Sequence, residues 1–164
     1  MKKQLAITFL VITSPLLYVS CVSSILKDAP PTFSSEVKLT APAMPFRPLK
    51  ASVFPSWKST KSGNVISIIS DCEPNSSNTL SSLHHMVEDS LNAVSTIKEE
   101  SVEFQNKPAV FKKINGELDG HAIEVQSISF KRKSCGYVSS LSGKKETLEQ
   151  DKAFFEQFNT SLRF

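Results

Sequence analysis

The sequence predicts an α+β domain, an antiparallel sheet of about six strands flanked by two helices, preceded by a signal peptide and a proline-rich tether. Three observations predict it. Short β-branched runs after residue 53 are joined by turn residues. Two further segments carry apolar residues at helical spacing. The connections between strands are too short for crossovers, which favours an antiparallel meander with helices packed on it.

The chain opens on Met1-Lys2-Lys3 and a mostly apolar stretch from residue 5 to residue 17, ending in Leu17-Tyr18-Val19-Ser20-Cys21. A positive start and a short apolar core are the anatomy of a signal peptide over residues 1–20, too short for a membrane span. A cysteine at this point resembles the lipobox of bacterial lipoproteins, with Tyr18 standing where that class usually has a small aliphatic residue. The resemblance implies that the Cys21 sulfur receives a diacylglycerol, the leader is cut before it, and the new amine is acylated. Ordinary secretory cleavage near Ser24 is the alternative. The Val22-Ser23 that follows lacks the aspartate that favours inner-membrane retention in enteric bacteria, so the resemblance implies the outer membrane more than the inner.

Residues 21–52 carry Pro30, Pro31, Pro42, Pro45 and Pro48 among Ser, Thr and Ala. Proline removes backbone donors and biases its predecessor to extended structure, so the stretch reads as a tether. Val37, Leu39, Met44 and Phe46 are apolar enough for part of it to dock on the domain. Without Lys2 and Lys3 the formal charge falls from +3 to +1, which leaves no field to attract nucleic acid.

The domain is expected over residues 53–164. Trp57-Lys58-Ser59-Thr60 and residues 65–70 form a hairpin around Lys61-Ser62-Gly63-Asn64. Val65-Ile66-Ser67-Ile68-Ile69 is apolar at both parities, which predicts a strand covered on both faces. Leu80, Leu83, Val87, Leu91 and Val94 recur at helical spacing, with Ser77 or Asn78 as cap. Strands follow at 101–105, 109–114, 121–131 and 136–141, with turns at Asn106-Lys107-Pro108, Asn115-Gly116 with Asp119-Gly120, and Arg132-Lys133-Ser134. Within 121–131 the apolar set changes parity between Val125 and Ile128, which calls for a bulge or burial on both faces. Thr147-Leu148-Glu149-Gln150 fits a capping box, and Leu148, Phe155, Phe158 and Leu162 form one stripe of a closing helix, widened by Phe154.

With Cys21 acylated, Cys72 and Cys135 remain as an even pair in an oxidising compartment, where a disulfide is the default. Both lie at strand ends beside turn residues, so the bridge would join the second strand to the last. Two buried free thiols are the alternative. The sequons at Asn75 and Asn159 would matter only in a eukaryotic secretory pathway.

Several stretches together resemble the PsbP-like fold, the class of the extrinsic protein of the photosystem II oxygen-evolving complex. They are Trp57 with Ile66-Ser67-Ile68-Ile69-Ser70-Asp71-Cys72, Leu80-Ser81-Ser82-Leu83, Leu118-Asp119-Gly120-His121, Lys133-Ser134-Cys135-Gly136-Tyr137 and residues 154–164. The arrangement is similar also to small bacterial envelope lipoproteins sharing that fold. The resemblance covers residues 55–164 and rests on fold-determining positions. It implies a binding or assembly role.

Candidate sites are few. His84-His85 with Glu88 and Asp89 places two i, i+4 pairs on a helix, but zinc wants three or four ligands and His121 is the only other histidine. The plain alternative is a polar helix face. Lys131-Arg132-Lys133, Lys144-Lys145 and Lys112-Lys113 could form a basic patch or serve solubility alone. No Gly-x-Ser-x-Gly elbow, Cys-x-x-Cys pair or glycine-rich phosphate loop occurs. The sequence therefore leads us to expect no catalytic residue, no metal and no cofactor. The expected function is a lipid-anchored binding or assembly module of the bacterial envelope, meeting the membrane through its lipid and an envelope protein partner, with no nucleic acid. The alternative is a carrier or sensor of a small ligand or metal, with a pocket between sheet and helix near Trp57, Tyr137 or His84.

Overall fold

The computed structural model describes residues 33–73 and 78–164. The leader expected over 1–20, Cys21, Asn75 and Ser77 lie outside the described residues. Seven strands make one sheet: β1 (Phe46–Pro48), β2 (Ser56–Ser59), β3 (Val65–Asp71), β4 (Asn92–Phe104), β5 (Lys107–Leu118), β6 (His121–Arg132) and β7 (Cys135–Gly143). Their order is β1-β2-β3-β7-β6-β5-β4, and every neighbouring pair is antiparallel. Between β3 and β4 lie a 3-10 turn at Ser82–His84 and α1 (His85–Glu88). The chain closes with α2 (Lys145–Leu148) and α3 (Lys152–Ser161), joined by a second 3-10 turn.

The α+β class and the antiparallel sheet stand as the pattern reads, but the single meander does not: β1–β3 and β4–β7 are two meanders, and the segment carrying α1 crosses from β3 to the far edge at β4, so that β7 returns beside β3. The seventh strand is β1, drawn from the segment read as tether. Val37 and Phe46 are buried, Leu39 packs on the core from its edge, and Lys38 bridges to Arg163. Met44 stays exposed. The stretch expected as tether is therefore part of the folded domain from Phe33 on, because its apolar residues find the sheet and the closing helix.

The first helix departs most from its periodicity. Leu83 is fully buried, but the helix ends at Glu88, and Val94 sits exposed on β4. Val94, Thr96 and Ile97 favour extended structure, and β5 supplies a partner for it. The expected 101–105 strand is only the end of that long edge strand. Two turns also move. Asn115-Gly116 stays inside β5, while the tight turns fall at Gln105-Asn106 and Asp119-Gly120, all four residues at positive φ. Thr147 is not a helix cap, because α2 begins two residues earlier, and its hydroxyl instead donates to Asn64 Oδ1 (2.8 Å).

Residues opposite one another in the ladder share a face. One face carries Trp57, Ile66, Ile68, Tyr137, Leu141, Phe130 and Ala109, all buried. The C-terminal helices cover it with Leu148, Phe155, Phe158 and Leu162. Phe158 packs on Trp57 (ring centroids 5.2 Å) and Phe154 on Phe46 (5.6 Å). The other face is covered in part by the segment around Leu83. Leu83 lies against Gly136, where a Cβ would come within 2.6 Å of Leu83 Cδ2, so only glycine lets the segment down onto β7. β6 keeps an unbroken register with β7 and is buried on both faces, which resolves its change of parity without a bulge.

Cys72 and Cys135 are disulfide-bonded with Cα atoms 4.2 Å apart. The register Asp71↔Gly136 continues outward to this pair, so the antiparallel ladder itself brings them together. The bridge spans 63 residues of sequence, for which the chain-entropy model gives about 4 kcal/mol. We expect reductant to lower the urea midpoint of the purified chain by a corresponding amount; an unchanged midpoint would show the bridge to be energetically idle. Phe158 is 1 % exposed. Phe158→Ala should cost about 3–5 kcal/mol, enough to deplete folded protein, as read from the loss of a cooperative urea transition.

Candidate functional site

Three polar or apolar features could carry chemistry, and each is positioned by the sheet. The first lies under Leu83. The 3-10 turn drops His84 onto the sheet, where it is 1 % exposed. Its Nε2 lies 3.2 Å from the Val110 carbonyl and its Nδ1 2.9 Å from Ser127 Oγ. A carbonyl only accepts, so the proton sits on Nε2, and Nδ1 accepts from the Ser127 hydroxyl. Burial, and then the nearby Lys112 ammonium, push the His84 pKa below its ordinary value. Glu88 and Glu99 oppose that shift from the helix and the edge strand. Lys112 joins both carboxylates, at 2.7 Å from Glu88 and 3.4 Å from Glu99. Burial alone would lower its ammonium, but the hydrogen bonds and charges of those two carboxylates outweigh it and raise its pKa. Glu99 in turn is lowered, first by the hydrogen bond from Ser81 and then by Lys112.

The Ser127–His84 contact has the atoms of a nucleophile and a base. Both side chains are buried, and the Ser127 hydroxyl is also within 3.3 Å of the Lys112 carbonyl, so the contact binds the helical segment to the sheet. The residues of the metal pairs considered from the sequence are engaged elsewhere. His84 turns into the sheet, while His85 and Lys112 both meet Glu88. Among the described residues no group of three or more His, Cys, Asp and Glu side chains gathers to hold a metal ion.

The basic residues are drawn apart as well. Lys112 is held by the two glutamates and Lys113 by the buried Glu124 (2.8 Å). Arg132 lies over the rings of Phe104, Phe130 and Phe164, 5.3 to 5.6 Å from their centroids. Its guanidinium also donates to the Phe104 carbonyl (2.7 Å). Burial lowers its pKa, and the clamp fixes the β6–β7 hairpin to the end of the chain. One of the three residues of the Lys131-Arg132-Lys133 run is thus structural, which charge counting alone does not reveal.

A second polar cluster escaped the sequence reading. Asn64, fully buried, donates from Nδ2 to the Thr147 carbonyl and to Asp151 Oδ2, both at 2.8 Å. Ser62 also donates to Asp151 Oδ2. A Cβ on Gly143 would fall 1.9 Å from Asn64 Oδ1, so glycine at the end of β7 makes the room. The cluster ties the β2–β3 turn to the start of the closing helix. The only signal available was an Asn beside a Gly turn, which reads equally well as a plain loop.

The third feature is a cleft of about 260 Å³ between α3 and strands β4, β5 and β6. Phe104, Phe111, Ile128 and Phe155 are its apolar walls, with Gln126 and Asn159 among its polar lining. It matches the expected place, between sheet and helix, but not the expected residues. Trp57 and Tyr137 pack in the core beside it, and His84 lies on the opposite face of the sheet.

The fold so described is PsbP-like. Cyanobacterial PsbP (CyanoP) from Synechocystis sp. PCC 6803 is similar over 80% of this chain and 83% of its own, with a TM-score of 0.50 and 9% identity. PA94 from Pseudomonas aeruginosa, a protein of unknown function, is similar over 84% and 87% respectively, with a TM-score of 0.52 and 14% identity. No protein-family model and no curated protein matches the sequence. At these identities the similarity is one of fold.

The buried histidine makes stability depend on pH. Unfolded, His84 takes up a proton near its ordinary value of 6.5, while the folded state resists it. The unfolded state therefore binds more protons below that pH, and stability falls as pH drops from 6.5 toward the folded value. The slope reaches at most about 1.4 kcal/mol per pH unit for one proton. His84→Gln, which keeps a donor and an acceptor, should flatten this part of the curve of urea midpoint against pH. A slope identical to wild type between pH 5 and 6.5, in the range set by the ordinary value, would assign it to other groups.

Proposed function

We propose that this protein is a lipid-anchored, non-catalytic binding or assembly module of the bacterial envelope, acylated at Cys21. The observation that carries the reading is the leader of Lys2, Lys3 and an apolar core ending at Cys21. The folded domain supports it, because the reactive-looking pairs found in it serve packing. The similarity of its fold to a bacterial protein of unknown function and to cyanobacterial PsbP sits well with a module whose work is contact. Two or three acyl chains would anchor the chain stably, where one would hold it only marginally. Among the described residues no helix is long and apolar enough to cross a membrane, so the lipid is the membrane attachment we propose.

Docking of the segment from Phe33 shortens the spacer. Residues 22–32 separate Cys21 from Phe33, and a fully extended chain of that length reaches at most about 40 Å. A partner is therefore to be sought close to the membrane surface, with the outer membrane favoured over the inner by Val22-Ser23 after the cysteine.

Cell fractionation with protease accessibility tests the anchor. Wild type should sediment with membranes and Cys21→Ala should be released; intact mass should show an acylated Cys21. An unmodified amine at Ile25, the product of cleavage after Ser24, would refute it. Co-purification from intact envelopes should return a protein partner, and none above background would remove the assembly role.

A further inference from the structure

Charge is unevenly divided along the chain. Residues 37–70 carry Lys38, Arg47, Lys50, Lys58 and Lys61 and no Asp or Glu, whereas residues 71–164 carry eleven Lys and Arg against fourteen Asp and Glu. The near-neutral whole therefore hides a basic unit, and four of its five cations lie on or beside the β1–β2 ribbon at one edge of the sheet. Arg47 stands directly opposite Lys58 in the register, a like-charge pair that lowers stability. Both are exposed, and with Lys61 they line one open hollow of about 580 Å³. No ion pair among the described residues holds Arg47, Lys50, Lys58 or Lys61. Asp151, beneath the adjoining turn, is 4 % exposed, and its carboxylate accepts from Ser62 and Asn64. Charge on an edge strand blunts pairing with other chains. β4, at the other edge, carries both signs, with Lys98 meeting Glu100 at 2.8 Å, so edge protection does not call for cations alone.

A second, independent observation is apolar. Met44 and Val53 are 62 % and 65 % exposed, and Leu49 is exposed between them. Leu49 and Val53 line another hollow, of about 330 Å³, that adjoins the basic one along Pro48 and Leu49. Exposed aliphatic side chains beside unpaired cations suit the boundary of a bilayer, where phosphates meet acyl chains. The path of the chain is a third observation. Phe33 lines the same hollow as Leu49 and Val53. The spacer of residues 22–32, at most about 40 Å long, therefore enters the domain at this ribbon, and a lipid on Cys21 attaches the domain to the bilayer from this side.

We infer that the β1–β2 ribbon is a second membrane contact, in which Arg47, Lys50, Lys58 and Lys61 meet the phosphates of anionic phospholipids while Leu49 and Val53 sit at the headgroup boundary. Which side faces the bilayer rests on the proposed anchor; the contact itself is measured without the lipid, so either can fail alone.

The test is co-sedimentation of residues 21–164 carrying Cys21→Ala, which has no acyl chain, with vesicles of phosphatidylcholine alone or with about one-third phosphatidylglycerol. The chain should sediment with the anionic vesicles at about 0.05 M salt and be released at about 0.5 M, where screening removes surface attraction. Arg47→Gln with Lys58→Gln should weaken partitioning about 25-fold, about fivefold per cation. Because it removes a like-charge pair, this variant should keep its melting temperature. Lys98→Gln with Lys107→Gln removes equal charge at the far edge, about 29 Å off and beyond the screening length, and should leave partitioning within about twofold. Leu49→Ser with Val53→Ser should weaken it about tenfold without changing its salt slope. Equal sedimentation with both vesicles, equal loss in the two charge variants, or no loss in the Leu49→Ser, Val53→Ser variant would overturn the inference. Binding to poly-glutamate but not to the vesicles would assign the ribbon to an acidic protein partner and overturn it as well.

Discussion

The last strand has to satisfy both layers of the molecule at once. β7 runs between β3 and β6, and its residues from Cys135 through Leu141 are all buried. Tyr137 and Leu141 must fit the C-terminal helices, while Gly136, Val138 and Ser140 must fit whatever covers the opposite face. Small residues make this possible. Gly136 admits Leu83, Gly143 admits Asn64, and Ser140 bonds to Ser67 across the ladder (2.8 Å). The disulfide at the first residue of β7 and the Asn64–Asp151 cluster at its end then pin the two ends of one buried strand. The N-terminal segment docks on this strand and on its neighbour β3, with the Ser34 hydroxyl accepting from the Tyr137 hydroxyl of β7 (3.0 Å) and the Ser34 N–H donating to Ser70 Oγ of β3 (2.8 Å).

Much of this was legible because it follows from short-range pattern. The closing stripe of Leu148, Phe155, Phe158 and Leu162 repeats at helical spacing and is buried as a unit. The Asp119-Gly120 turn carries its own backbone signature, and Cys72 and Cys135 announce themselves as an even pair at strand ends. What was illegible depends on partners remote in sequence. Nothing within residues 80–94 says that Asn92 will leave the helical period to pair with Glu117 in a strand not yet begun. Nothing near Phe46 says that a ring from Phe154, over a hundred residues later, will make it core rather than tether.

The site shows the same division. The sequence presents His84 and Glu88 as neighbours on one helix, and that adjacency is real in the chain. Which way the imidazole faces was settled by the Val110 carbonyl and Ser127, and these belong to strands that the helix only meets after folding. Lys112 behaves likewise, a member of a basic pair in sequence and the bridge between two glutamates in space. Charge patterns therefore overstate free charge wherever a β-sheet brings remote strands together.

The cleft follows from a mismatch of size. Seven strands at about 4.8 Å spacing span about 29 Å, and one helix with its side chains is about 10–12 Å wide. α3 turns Phe158 toward Trp57 and Phe154 toward Phe46, so its coverage is biased to the β1–β2 side of the sheet. The opposite flank, over β5 and β4, is left to Phe111 and the edge of Phe104. β4 itself is an edge strand carrying Lys98, Glu99, Glu100 and Glu103, charges that discourage pairing with another chain. An apolar hollow can persist beside such an edge because the charged strand guards the ladder while the phenyl rings line the hollow. Widening the helix layer would close it; a fold with one short closing helix on a seven-stranded sheet leaves it open.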